Sequence, residues 1–573
     1  MRLEFLNPRR YWGALDEETR RDARIAAMLV LLGIAAYLPG IGWGLPIGTD
    51  ESLIRGWGPD ELGPNGPLAE VSNLIKHGDT GNPQYPMFHY FVCLAFYVPY
   101  LGFLFLTGGI SHAQSAYPYG FANPARVLQT LLILARFASV LAGAGTGAVA
   151  YFTAKRLWNR TAGVVAGLTV LLIYTMFYYA RVSTTDAAAV FWASVGLYIF
   201  VRILQDGMSV GRAAWLGLIA AIAVATKDPN YGVFLLLPLV MLPVHYSQRT
   251  QAGVTDVWER MKAPLAGLLM FAAAYLVASG FVFYPEKYFK HLAFIRAGGT
   301  HYRYYFEFPA TLAGYWGLAK RSFGYIVDSL NWPLVIISLA GIFVAAKKDR
   351  KTLALLLPVI ATFFTVLLPV RYVELRYVLV IAYILALFAA CAFAEGLRSP
   401  RTMLRAVTGV LLVFSLGWSA MRAADLTYLL WHESRVAAGE WFAQNVKTPM
   451  TIEYFGDGTY RGPRRVVFLP RLPDGAHWAL AKVGRVPDGS APSAPLVMVQ
   501  GREDLEKNWD CPDWVLRKLR DGSFGYHRVA AFETQTLFSH HSLSLNPNVN
   551  PPIEIFERTD SAGAAKPEKG GTE

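Results

Sequence analysis

Two Asp-Glu pairs, Asp50-Glu51 and Asp60-Glu61, stand close together in a Pro- and Gly-rich segment just after the first long apolar stretch. A further acid, Asp186, ends the run Tyr179-Ala180-Arg181-Val182-Ser183-Thr184-Thr185 between two other apolar stretches. Carboxylates at the mouth of a membrane helix are costly near hydrocarbon and seldom serve packing. Acids so placed can take a proton from a hydroxyl or hold a divalent cation. They are expected to face one another outside the membrane, in one site.

The elements that must position them are apolar. Of 573 residues, 54% are hydrophobic and 16% charged, whereas soluble domains average about 25% charged. Runs such as Ala26–Tyr37, Val164–Tyr174 and Val378–Phe393 are too uniformly apolar for ordinary amphipathic helices. About eleven segments approach the roughly 20 apolar residues a span needs. The net charge of +12 is spread in short Lys/Arg clusters between these segments, the pattern of positive-inside topology rather than of a nucleic-acid surface, so no nucleic-acid partner is expected. Cys93, Cys391 and Cys511 supply neither a disulfide framework nor zinc spacing. The first apolar stretch is too long for a cleaved leader and is expected to remain as an anchor.

Helices near 25–45, 127–152, 162–181, 184–204, 213–227, 229–246, 263–283, 329–346, 352–369, 377–395 and 402–423 put every basic cluster on one side. The N-terminus, residues 1–24, is then cytoplasmic and the polar C-terminal region extracytoplasmic, in a bacterial-type plasma membrane. Met87–Thr107 is read as a helix lying on, or dipping into, the outer leaflet, because a further crossing would separate Asp60 from Asp186. The membrane domain spans 25–423, with outer loops at 46–126 and 284–328. The second loop carries Lys287, Lys290, Arg296, Arg303, Lys320 and Arg321. Long loops escape the charge rule; alternatively these cations, with Arg371 and Arg376, hold an anionic headgroup. Strand-like runs at Met450–Phe455, Arg465–Leu469, Leu496–Gln500 and Ile553–Phe556, with a helix over Trp431–Val446, indicate a small α/β domain over 424–560. The tail, 561–573, has a disordered composition. Gly143–Gly147 is small-residue helix packing, with no strand or Lys-Ser/Thr to make a nucleotide site.

Asp60-Glu61 precedes the amphipathic run Leu68–His77, then Gly78-Asp79, then Gln84-Tyr85-Pro86-Met87-Phe88-His89-Tyr90. Arg181 and Asp186, Thr226-Lys227-Asp228-Pro229, Arg376-Tyr377, and Ser434-Arg435 with Trp441 follow in order. In this the chain resembles the membrane glycosyltransferases of the GT-C superfamily, in particular the protein O-mannosyltransferase and aminoarabinose-transferase-like group. The resemblance covers most of the membrane region. It implies a polytopic α-helical GT-C fold, a polyprenyl-phosphate sugar as donor, and single-displacement transfer to a hydroxyl of a protein, lipid or glycan with inversion at the anomeric carbon. Membrane lipids are the surrounding partner.

The resemblance further implies catalytic acids among Asp60, Glu61, Asp186 and Asp50. Asp60 fits the base better than Asp50 because Tyr85-Pro86 follows at the expected distance, and Asp50 stays open. The donor phosphate falls to Arg181, Lys227, Lys287, Arg296, Arg303, Arg371 and Arg376, and further substrate contacts to Tyr85, His89 and Glu374. Carboxylates suit Mg²⁺ or Mn²⁺, but the group requires no metal, and neither metal nor other cofactor is expected.

Each residue also has a plain structural reading. Asp186 can cap a helix, Lys227-Asp228 can form a local ion pair in a turn, Glu374 can neutralise Arg371 and Arg376, and His89 can be an interfacial packing residue. Of other functions, a transporter or flippase of a lipid-linked or anionic substrate would show repeated halves with matching helix breaks, and none is visible. A non-catalytic scaffold leaves the clustered acids unexplained.

Overall fold

The computed structural model describes residues 16–49, 53–58, 60–78, 84–112, 114, 116–296, 307–446, 449–455, 470–473, 475–480, 491–500, 513–538 and 549–559. Asp50, Asp79, Arg303, Arg465–Leu469, Cys511 and the tail 561–573 lie outside them.

The architecture is that of a polytopic α-helical membrane protein with a small C-terminal sheet. Among the described residues, eight helices are long and apolar enough to cross a membrane, and a ninth span is formed if the bent pair Leu312–Leu330 and Trp332–Lys348 counts as one. Each of the eleven expected helices has a counterpart, some of them altered. The first runs over Glu17–Tyr37, starting early because the Asp16 carboxylate accepts from the Thr19 N–H at 2.7 Å and caps it. The stretch 162–181 is broken into Arg160–Leu171 and Tyr174–Tyr179. Phe88–Leu106 is a 19-residue helix of spanning length and composition.

The expected loop 284–328 is largely helical, with helices at Pro285–Arg296 and Leu312–Leu330. The second of these turns by 103° into Trp332–Lys348 at Asn331. Asn331 accommodates that corner in a left-handed conformation (φ 71°), its carbonyl oxygen accepting from the Leu334 N–H at 3.0 Å and its amide reaching the Ser419 hydroxyl at 2.9 Å. Helices pack closely where side chains vanish: a Cβ on Gly143 would meet Ala180 at 2.8 Å, and one on Gly147 would meet Leu171 at 2.7 Å.

The basic clusters gather at one end of the bundle. Lys155 and Arg160 both pair with Asp22, Arg156 and Arg212 both reach Asp206, and Leu157, Gln205, Asp349 and Lys351 line one small cleft. Asp186 and Asp206 terminate the same 21-residue helix, which at 1.5 Å per residue is about 30 Å long, one hydrocarbon thickness. Asp186 therefore sits a membrane's width from those clusters.

The chain forms two compact units. One draws on the chain up to Ile41, on Asp60–Gly108 and on Leu131–Ala423; the other on Gly42–Pro59, Gly109–Thr130 and the chain from Ala424 onward. The second unit contains a five-stranded sheet of β1 (Thr451–Phe455), β2 (His477–Leu480), β3 (Leu496–Gln500), β4 (Tyr526–Phe532) and β5 (Ile553–Arg558), in the order β2-β1-β3-β5-β4. β1 pairs in parallel with β2 and β3, and β5 pairs antiparallel with both β3 and β4. The central β3 is buried throughout, hence its unbroken apolar run. The helix Ser434–Asn445 packs Ala438 and Phe442 onto one face of the sheet. In the same unit Arg435 is buried against Glu433 and stacks over the Trp57 ring at 4.3 Å.

Candidate active site

The site lies wholly in the larger unit and is built from five chain segments. The first is the turn Asp60–Gly63. Glu61 pins it: Arg136 Nε and Nη2 donate to the two Glu61 carboxylate oxygens at 2.8 and 2.9 Å, and the Ser183 N–H donates to Oε1 at 2.9 Å. The Leu62 N–H donates to the Ser183 carbonyl at 3.0 Å and the Gly63 N–H to its hydroxyl at 3.3 Å. With Glu61 turned inward, Asp60 is held in a left-handed conformation (φ 58°) and points elsewhere, which is backbone strain of the kind functional sites retain.

Asp60 meets Arg376, whose Nη1 donates to Asp60 Oδ2 at 2.7 Å. Arg376 opens the helical stretch Leu375–Leu397 and also holds Glu374 at 2.6 Å. A π-helical turn over Thr362–Leu367 and a left-handed Arg371 (φ 47°) precede this strand of charge, and the Tyr372 hydroxyl donates to Glu374.

The third segment is the start of the helix Asp186–Asp206. Asp186 is its first residue and makes no cap; Thr185, at the cap position, makes none either. The Asp186 carboxylate instead accepts from Lys227, which follows the helix Val210–Thr226. Lys227 therefore does not pair with its neighbour Asp228, which meets His291 at 3.1 Å.

The two charge pairs share one space. Lys227 and Arg376 both lie over the Tyr377 ring, at 5.5 and 5.7 Å from its centroid. Tyr85 feels Asp60, Arg376 and Asp186 together, and burial, then the Asp60 carboxylate, holds its phenol well above the usual tyrosine range. Asp60, Asp186, Lys227, Glu374, Arg376, Tyr85 and, beside Asp186, His89 are thus brought together. The arrangement can take a proton on a carboxylate and neutralise an anion with two cations, one of them a planar fork.

Other expected residues are elsewhere. Glu61 is committed to Arg136. Arg181 is buried, donating to the carbonyls of Ala36 and Tyr37 at 2.8 and 3.1 Å at the end of the first helix, and it stacks on Phe177. Lys287 is buried against Glu70, Lys290 pairs with Glu286 at 3.0 Å on the surface, Arg296 is exposed, and Arg371 is half-buried. Three contributors were not anticipated: Arg136, Ser183 and Tyr377. Arg136 had a signal, as the lone charge in the middle of an apolar run; Tyr377 stood in the Arg376-Tyr377 motif without a role of its own, and Ser183 had no signal.

No curated protein matches the chain. Among solved structures, similarity is found to ArnT from Cupriavidus metallidurans bound to undecaprenyl phosphate, at 15% identity and TM-score 0.46 over 92% of this chain and 97% of that one. It extends to the oligosaccharyltransferase AglB from Archaeoglobus fulgidus in complex with an inhibitory peptide and a dolichol-phosphate, at 11% identity and TM-score 0.42 over 80% of this chain. The chain spans 64% of that archaeal protein. The mycobacterial arabinofuranosyltransferase AftD matches at 15% identity and TM-score 0.42, over 95% of this chain and 42% of its own. Within the membrane region, residues 125–276 match the family described as dolichyl-phosphate-mannose-protein mannosyltransferase, the group that the acidic and aromatic motifs resemble.

Proposed function

We propose that this chain is an inverting glycosyltransferase that moves a sugar from a polyprenyl-phosphate donor to a hydroxyl acceptor at the outer face of a bacterial-type plasma membrane. The observation that carries the reading is the Asp60–Arg376 pair set beside Asp186–Lys227 over one tyrosine ring. Asp60 accepts the proton of the acceptor hydroxyl as that oxygen bonds to the anomeric carbon. The bond from that carbon to the phosphate oxygen breaks on the opposite face, and the polyprenyl phosphate leaves as an anion. Arg376 and Lys227 neutralise it, so the leaving group needs no proton donor. The exposed apolar helices supply the surroundings for the polyprenyl tail. Because the site and the basic clusters occupy opposite ends of a helix of membrane thickness, a cytoplasmic N-terminus puts the chemistry outside.

Mass spectrometry of cell-envelope glycoconjugates tests this. A product lost on deletion should return with the wild-type chain and not with Asp60→Asn. Its return with Asp60→Asn overturns the assignment, and if Asp50→Asn is then the inactive variant, the base is Asp50.

A further inference from the structure

The helix Phe88–Leu106 begins against the helix Asp186–Asp206, where Phe88 meets Trp192 edge-on with ring centroids 5.9 Å apart. The next residue, His89, is 1% exposed, and neither of its ring nitrogens has a hydrogen-bond partner. Asp186 is close enough to act electrostatically on that ring. One Asp186 oxygen takes Lys227; the other, on a residue 3% exposed, has no partner. The hydroxyls of Thr184 and Thr185, at the same helix start, are buried and unmet as well.

Folded proteins leave few buried polar atoms unmatched, because each forfeits its hydration without return. Here the unmatched Asp186 oxygen and the Thr184 and Thr185 hydroxyls share one helix start, and the unmatched His89 ring lies within electrostatic reach of Asp186. Such a set is retained for what it binds. The occupant's chemistry follows from the charges. Lys227 already balances Asp186, so an anionic sugar would meet an uncompensated carboxylate oxygen, whereas a neutral hydroxyl can donate to that oxygen and accept from an imidazole N–H.

We propose that His89 and the free oxygen of Asp186 hold a ring hydroxyl of the transferred sugar, and that His89 thereby selects a particular neutral hexose. This rests on the glycosyl-transfer reading and adds to it the residue that chooses the sugar. Sites that hydrogen-bond a substrate hydroxyl discriminate strongly against analogues that misplace it, since the buried partners are then left unpaired.

The test uses the full-length protein in lipid nanodiscs, with envelope extract from a deletion strain as acceptor. Transfer is measured from radiolabelled polyprenyl-phosphate mannose, glucose and galactose, alongside thermal unfolding. His89→Leu should unfold at an equal or higher temperature than wild type, yet lose about tenfold or more in kcat/KM for the preferred hexose and most of the preference among the three. His89→Gln, which keeps a donor and an acceptor, should retain part of that preference and serves where leucine prevents folding. If His89→Leu keeps the wild-type preference, or if both variants lower the unfolding temperature and slow all three sugars equally, the histidine is structural and the inference falls, with glycosyl transfer intact. Wild-type protein that transfers none of the three overturns the hexose assignment and this inference with it, while glycosyl transfer itself stands or falls on the envelope mass spectrometry of Asp60→Asn.

Discussion

Replacing Glu61 by glutamine should damage the fold more directly than the chemistry. The Glu61 carboxylate receives both arms of Arg136 and the Ser183 N–H, at 2.8 to 2.9 Å. The Arg136 side chain is wholly buried and that of Glu61 is 3% exposed. Solvent screening, which reduces exposed ion pairs to about 0–1 kcal/mol, is therefore absent. The Ile41 carbonyl, which takes Arg136 Nη1 at 2.7 Å, is untouched by the substitution, but glutamine brings no charge to set against the buried guanidinium. Removing one partner of such a pair costs about 3–5 kcal/mol. Replacing both partners by apolar residues, as in Glu61→Leu with Arg136→Met, should recover most of that loss, because buried pairs exchanged for well-packed apolar groups are often neutral in stability. The double variant should also keep some transfer, since Leu62 and Gly63 still anchor the turn to Ser183. Equilibrium unfolding in mixed micelles, titrated with sodium dodecyl sulfate, reads the stability; sugar transfer is followed in parallel. Glu61→Gln folding as stably as wild type while losing transfer would refute this reasoning and place Glu61 in the chemistry.

Three further outcomes are expected. Asp60→Asn should retain wild-type helicity by circular dichroism and lose transfer by about 10²-fold or more, the scale of a general base; residual activity within a few-fold of wild type would exclude Asp60 from that role. Arg376→Lys keeps the charge but not the fork that serves Asp60 and Glu374 at once, so polyprenyl phosphate should bind about tenfold more weakly by tryptophan-fluorescence titration, the equivalent of one charged hydrogen bond of about 1.5 kcal/mol. Lys287→Met should cost about 3–5 kcal/mol by leaving Glu70 buried alone, and Lys287→Met with Glu70→Leu should regain it without altering polyprenyl phosphate affinity; weakened lipid binding in the stable double variant would return Lys287 to the site.

The acids were legible because a carboxylate beside a long apolar run has few inexpensive explanations, and composition made the helices nearly unavoidable. Their partners were not legible. Lys227 has an acid as its immediate neighbour, yet it pairs with Asp186, 41 positions away; local charge patterning carries no information about such a contact. Lys287 read as a loop cation because its segment is rich in charge. It is in fact buried on the inner face of Pro285–Arg296, while Phe289, Leu292 and Ile295 of the same helix are exposed, the inverse of a soluble amphipathic helix and sensible only where the exterior is lipid. In the sheet, β3 and β5 were visible as apolar runs. The edge strands β2 and β4 were not; in β4 three of the seven residues are exposed, His527 and Arg528 among them.

The charge count at the site constrains how a donor could enter. Asp60, Asp186 and Glu374 contribute three negative charges, and Lys227 and Arg376 two positive ones. A phosphodiester brings one more negative charge into a space where effective screening is weak. On the proposed reading, an acid must therefore yield its cation for the donor to bind. Asp186, 2% exposed at its side chain, keeps its contact with Lys227, whose other ammonium protons can still face the phosphate, and Asp60, at 15%, is fixed by the strained turn that Glu61 anchors. Glu374 is the most exposed of the three, at 36%, and follows a left-handed residue in a segment between two helices. It can release Arg376 Nε to solvent-side rearrangement at little desolvation cost, leaving the guanidinium to bridge Asp60 and the phosphate. The base and the leaving group's counter-ion are then held by one planar fork, so the proton acceptor and the departing oxygen are positioned by the same side chain.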